Sequence, residues 1–219
     1  MGYRRLEANN SGVATVGSPE TSETGVVNKI DKTLSYSDNS IATQLYDSLS
    51  TTTGYLFGSS LYTGGANYNE FRRLLIKAEV LNGFSDSRYM SQCAFTPDFL
   101  DTEDYTCLAP TNAAILAEMS RPGGSRIPET NAADGNKALK EYLKYYFIKT
   151  NVIWTTDNIS SASYVTANGA TLDVSVQNGV INITDKVGGT ATTGNSDCVT
   201  NVMAKGGNIH QINSVLNFK

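Results

Sequence analysis

The residues able to do chemistry are few. The chain has one histidine, His210, and three cysteines, Cys93, Cys107 and Cys198. A Ser-His-Asp or Cys-His centre would have to be built on His210. That residue stands in a β-like run between Ile209 and Ile212, facing opposite to its immediate neighbours. A hydrogen-bonded structural imidazole is the expected role there, rather than a general base. The cysteine spacings fit no zinc template. One bridge plus a free thiol fits the count, but three buried thiols is the preferred reading. Asp98, Asp101, Glu103 and Asp104 offer hard oxygens, yet they follow no calcium-loop spacing and read as a solvated turn. Gly188-Gly189 and Gly206-Gly207 lack the Lys-Ser/Thr and the strand–helix context of a phosphate loop, so they read as turns. No pair of acids is singled out for glycoside hydrolysis. The expectation is a chain that is not an enzyme and holds no metal and no cofactor.

The tyrosines are more suggestive than the titratable groups. There are twelve, and Tyr55, Tyr62, Tyr68 and Tyr89 sit among Gly, Ser and Asn. Such mixtures make adaptable, amphipathic contact surfaces; the same rings could seal the edge of a core. Tyr62 and Tyr68 are taken as candidate contacts for a ligand. Asn158-Ile159-Ser160 and Asn182-Ile183-Thr184 match the glycosylation pattern, which matters only in a eukaryotic secretory host.

These groups need elements to position them. At 219 residues, 40% hydrophobic and 17% charged, the chain is globular and able to bury a substantial core. The net charge of −4 argues against nucleic acid, which demands a basic face. No window is apolar enough to cross a membrane, so an anchor outside this chain is the only expected membrane link. Met1 to Arg5 leads into polar residues with no signal-peptide core. The expected form is a mature fragment of a secreted or lipid-anchored surface protein.

Asp104 to Met119 is the organising stretch. It reads as a short strand, a corner at Pro110 that stops ladder pairing for want of an N–H, and a buried helix capped by Thr111 or Asn112. Residues 1–24 read as a polar arm. Gly25 to Tyr36 echoes Gly207 to Phe218, matching Val27 with Ile209, Ile30 with Ile212 and Leu34 with Leu216. Residues 1–36 are therefore expected to be either the tail of a preceding domain or a genuine N-terminal strand, with 37–219 as the domain proper.

Helices are expected over Ile41 to Leu49, over Phe71 to Leu81 with Asn67 or Asn69 as cap and Asn82-Gly83 as stop, and over Asn136 to Tyr146. Arg72, Arg73 and Lys77 should face water. Strands are expected at Phe147-Ile148 and at Val152 to Trp154. Leu172 to Ile183 should form a hairpin turning on Asn178-Gly179. Cys198 to Ala204 and Asn208 to Leu216 should be strands, and Asp185 to Asp197 a loop. Thr51 to Asn67 and Arg121 to Gly135 read as loops, and Ser85 to Glu103 as an insertion.

Two motifs then point to one family. Leu108-Ala109-Pro110-Thr111-Asn112-Ala113-Ala114 resembles the first signature of fasciclin-type adhesion domains, in which a strand runs into "APTN" and a helix. Gly206 to Asn213, with Val215-Leu216 after it, resembles the closing strand of those domains, and His210 matches the family histidine. The resemblance implies an α+β fold, a wedge of short, mainly antiparallel strands with several helices packed on it, and a tandem neighbouring domain. Periodicity alone reaches only α+β. Pro110, Thr111, Asn112 and His210 are then structural motif residues.

Tyr145-Tyr146 occupies the place of the family's Tyr-His. Asn201-Val202 occupies the place of an Asp-Ile pair tied to integrin adhesion in animal relatives. Both are departures that count against integrin-type recognition, and all four residues join Tyr62 and Tyr68 as candidate binding residues. The implied function is an extracellular module that binds a cell-surface or matrix protein, or a glycan; the alternative is a carbohydrate-binding accessory protein of a polysaccharide-handling system.

Overall fold

The computed structural model describes residues 7–8, 12–13, 20–22, 25–27, 40–47, 68–81 and 104–218. The chain divides into two compact units, Met1–Ser37 and Asp38–Lys219. Among its described residues the first holds two antiparallel ladders. β1 (Glu7–Ala8) pairs with β2 (Gly12–Val13), and β3 (Glu20–Ser22) pairs with β4 (Gly25–Val27).

The second unit is α+β. Its helices are α1 (Ile41–Asp47), α2 (Asn69–Lys77), α3 (Asn112–Met119) and α4 (Lys137–Lys144). One four-stranded sheet runs in the order β11 (Val202–Ala204), β12 (Gly207–Ile212), β5 (Tyr105–Pro110), β6 (Phe147–Lys149). The other runs β10 (Thr190–Thr192), β9 (Val180–Thr184), β8 (Thr171–Gln177), β7 (Ile159–Val165). Among the described residues every strand pair is antiparallel except β12 with β5, which join the two signature stretches in parallel, His210 opposite Leu108.

That pairing explains why β5 is buried at all six positions. A parallel strand in mid-sheet has both faces covered and reads as a continuous apolar run. Phe71, Tyr146, Phe147 and Tyr105 pack ring on ring beside it. Gly207 is required at the head of β12: a Cβ there would lie 1.9 Å from the Tyr105 backbone oxygen.

Several expectations are corrected. Pro110 does not end the ladder. It stands opposite Ile212, and the Thr111 N–H donates to the Ile212 carbonyl one residue further on. The buried half of the motif is the strand, whereas α3 buries only Ile115 and Glu118. Helix α2 ends earlier than Asn82-Gly83, which lies outside the described residues. Its stop is Glu79, at φ 56°, with Val80 N–H returning to the Leu75 carbonyl. Arg72 is buried, not in water, and Arg73 and Lys77 are exposed.

Val152 to Trp154 is not a strand, because the Ile153 backbone is taken by side chains: its N–H by Thr106 Oγ1 and its carbonyl by Asn208 and His210. Residues 159–165, read only for their sequon, form β7, and the loop after Asp185 contains β10. The strand expected over Cys198 to Ala204 narrows to the three-residue β11. The hairpin stands where expected, with Asn178 at φ 51° and Gly179 at φ 79° closing a two-residue turn between Gln177 and Val180. The loop at 51–67 and the insertion at 85–103 lie outside the described residues.

Candidate functional site

The signature corner builds two surfaces at once. Thr111 caps α3, its Oγ1 accepting from Ala114 N–H at 3.2 Å. Asn112 does something else: its Oδ1 accepts the N–H of Glu70 at 3.0 Å, in the first turn of α2. The α2 N-cap position is Tyr68, which makes no side-chain cap bond. Asn69, an expected cap, lies one residue inside the helix and accepts from Arg72 Nη2 instead. One helix thus caps the next across space, satisfying a donor that α2 leaves open.

Helix α3 then sits with its charge inward and its apolar residues outward. The Glu118 side chain is only 5% exposed. It accepts from Arg126 N at 2.7 Å, Arg126 Nε at 2.9 Å and Arg126 Nη2 at 2.6 Å. These bonds hold its carboxyl below the usual carboxylate range, and they pin the 121–127 turn beneath the helix. Ala113, Leu116 and Ala117 recur at i, i+3 and i+4 and face solvent, with Leu116 51% and the adjoining Met119 43% exposed. An outward apolar stripe inverts the usual arrangement of a surface helix. Beside it runs a groove of about 400 Å³, floored by Ala113, Ala114 and Ala117 and walled by Asn195, Asp197 and Asn213.

A family model of the fasciclin domain matches residues 66–218. The chain belongs to the fasciclin domain family. The match spans more than two-thirds of the sequence and includes both signature motifs. Among solved structures, a FAS1 domain pair from the insect cell adhesion molecule fasciclin I is similar at 21% identity, with a TM-score of 0.37. That likeness covers 52% of this chain and 36% of the insect chain. No curated protein matches. Fasciclin domains are associated with cell adhesion, and they are typically non-enzymatic and extracellular.

The residues singled out for binding scatter. Tyr62 lies outside the described residues. Tyr68 is buried, and burial pushes its phenol well above the ordinary tyrosine value. Tyr145 is buried too, donating to the Thr171 carbonyl and accepting from Lys186 N–H. Tyr146 is fully enclosed beside Tyr142, and its hydroxyl both accepts from Leu216 N–H and donates to the Leu216 carbonyl. These three rings are core residues whose hydroxyls or faces are turned inward, which corrects the expectation that they meet a ligand. Asn201 is half-buried at φ 56°, and its amide is spent on Thr155; Val202 opens β11.

His210 is buried within the sheet, bonded to Ile153 and Asn201. Cys107 is a buried free thiol, and Cys198 is only half-buried, so the expectation of three buried thiols does not hold for Cys198. Of the acidic group, Asp104 is described and exposed. Sequence reasoning missed the outward stripe because it assigned Ala113 to Ala117 to the core. The available signal was that Glu118 is the sole charge of a helix that is apolar at every other position after Asn112.

Proposed function

We propose that this fasciclin domain is a non-enzymatic extracellular module that recognises a cell-surface or matrix protein through the outward face of α3. The observation that carries this reading is the Ala113–Leu116–Ala117 stripe with Met119 beside it. An exposed apolar strip held rigid by an internal ion pair suits protein contact better than solvent. The large hydrophobics exposed among the described residues are all aliphatic: Leu116, Met119, Val165 and Val187. A flat aliphatic patch favours a protein partner, whereas a sugar ring stacks best on an aromatic shelf.

The groove walled by Asn195, Asp197 and Asn213 supports a second reading, a carbohydrate-binding accessory role, since amides and carboxylates suit sugar hydroxyls. The test presents the purified chain to an array of matrix proteins and glycans. A matrix-protein signal weakened about tenfold by Leu116→Asp, with the melting temperature unchanged, is the expected outcome. A glycan signal lost in Asn213→Ala and kept in Leu116→Asp would replace this reading with the second. Display at the cell surface, through secretion or a lipid anchor and beside a tandem neighbour, belongs to the same proposal.

A further inference from the structure

His210 holds two segments to the sheet at once. Its Nε2 lies 2.8 Å from the Ile153 carbonyl, and its Nδ1 lies 3.2 Å from the Asn201 backbone nitrogen. A carbonyl only accepts and a backbone N–H only donates. The ring is therefore the neutral tautomer with hydrogen on Nε2, and both nitrogens are committed. The Ile153 carbonyl also takes Asn208 Nδ2 at 2.6 Å. Asn201 in turn clasps Thr155, its Oδ1 accepting from Thr155 N–H at 3.2 Å and its Nδ2 donating to Thr155 Oγ1 at 2.6 Å. The strap at 151–157 and the segment at 199–202 are thus tied to one imidazole and to each other. Trp154, the chain's one tryptophan, lies in the strap.

We propose that the 199–202 segment, with Thr155 clasped to it, forms an acid-opened flap, released when His210 takes a proton while the Nε2–H bond to Ile153 and the rest of the domain stay in place. Protonation puts a second N–H on Nδ1, facing the Asn201 N–H at 3.2 Å. Donor then meets donor inside a site with no exposed surface, and a buried charge without a partner is costly. The relief is for Asn201 to withdraw, and Thr155 goes with it. The titratable groups on the elements around the ring are Tyr105 and Cys107 on β5, Asp157 in the strap and Lys205 after β11. Burial keeps the Cys107 thiol neutral, and the Asp157 carboxylate is turned to Trp154 N–H. The described side chains of α1, which packs on β12, are Ile41, Ala42, Gln44 and Leu45, all uncharged.

The direction of the pH effect follows. Burial holds the closed imidazole down at about 4, whereas a ring freed to water titrates near its ordinary value of about 6.5. The closed form is fully favoured above that ordinary value, and its advantage is lost as pH falls toward 4. Opening is favoured about 20-fold more at pH 5 than at pH 7, and about 240-fold more at the acid limit. His210 is the chain's one histidine, so no other imidazole contributes to this change.

The test is amide hydrogen exchange of Asn201 and Thr155 at pH 7 and pH 5, corrected for intrinsic rates, with Ile183 in β9 as internal reference. We expect protection at Asn201 and Thr155 to fall about 20-fold relative to Ile183. The change should vanish in His210→Gln, whose amide can make both bonds without titrating. Equal protection at the two pH values would overturn the proposal, as would a fall shared by Ile183 or a fall that persists in the Gln variant. Should that variant fail to fold, the single imidazole resonance of the native chain decides. Titration well below the ordinary histidine range, with Asn201 protection lost as pH falls, upholds the flap; titration near 6.5, or low titration with Asn201 protection unchanged, removes it.

Discussion

Glu79 shows how one residue can carry a structural duty that its type conceals. It follows the C-cap Ala78 of α2 in the left-handed region, donating to the Ile76 carbonyl while Val80 N–H reaches Leu75. That is the six-to-one and five-to-two bonding of a helix stop in which glycine is the favoured residue. A side chain there costs about 1 kcal/mol in backbone strain. The pair that Glu79 makes with Lys140, at 3.7 Å with the Glu79 side chain 69% exposed, returns little of it. Glu79→Gly is therefore expected to raise stability by about 1 kcal/mol, read as a higher urea midpoint at unchanged slope; a midpoint that falls would mean that the pair with Lys140 outweighs the strain. The sequence pointed past this residue to Asn82-Gly83, because glycine announces a left-handed position and glutamate does not. His210 was legible as structural from its place in a β run. What its two nitrogens hold was not legible, since Ile153 and Asn201 meet it only in the fold.

At the scale of elements, the strand, corner and helix of the signature were readable because each has a local cause: a run of apolar residues, a proline, a capping threonine. The hairpin was readable for the same reason, since Asn178-Gly179 demands its own turn and Leu172, Val174 and Val176 alternate around it. Strand β7, Ile-Ser-Ser-Ala-Ser-Tyr-Val, was not, because it lies at a sheet edge, where four of its seven residues are exposed and none is fully buried. Val152 to Trp154 failed in the opposite sense. Its β-branched residues suit a strand, but Thr106, Asn208 and His210 satisfy the Ile153 backbone first. Asn112 is the strongest case of an element-level role hidden by distance, since it serves a helix 42 residues earlier. Asn112→Ala is expected to cost about 1 kcal/mol, the usual worth of a lost N-cap. The loss should appear as faster amide exchange in the first turn of α2. Thr111→Ala should cost a similar amount and appear in α3 instead. Faster exchange confined to α3 in both variants would show that the inter-helix cap contributes nothing.

The whole molecule divides between Ser37 and Asp38, one residue from the boundary that the internal repeat suggests. We propose that residues 1–36 are the tail of a preceding domain of the same family. The support is the echo of Gly207 to Phe218 in Gly25 to Tyr36. In the second copy this stretch supplies β12, which lies between β11 and β5 and cannot be removed without opening the sheet. The first copy begins with β4, which pairs with β3 inside its own unit. A strand that completes the 38–219 core would be costly to delete; a tail left from another domain would not. The chain lacking residues 1–36 is therefore expected to melt in a single cooperative transition, within a few degrees of the full chain, with α2, β5 and β12 protected as before. Loss of that transition would make the segment a genuine strand of this domain. The repeat would then record a duplication inside one fold rather than a neighbour beside it.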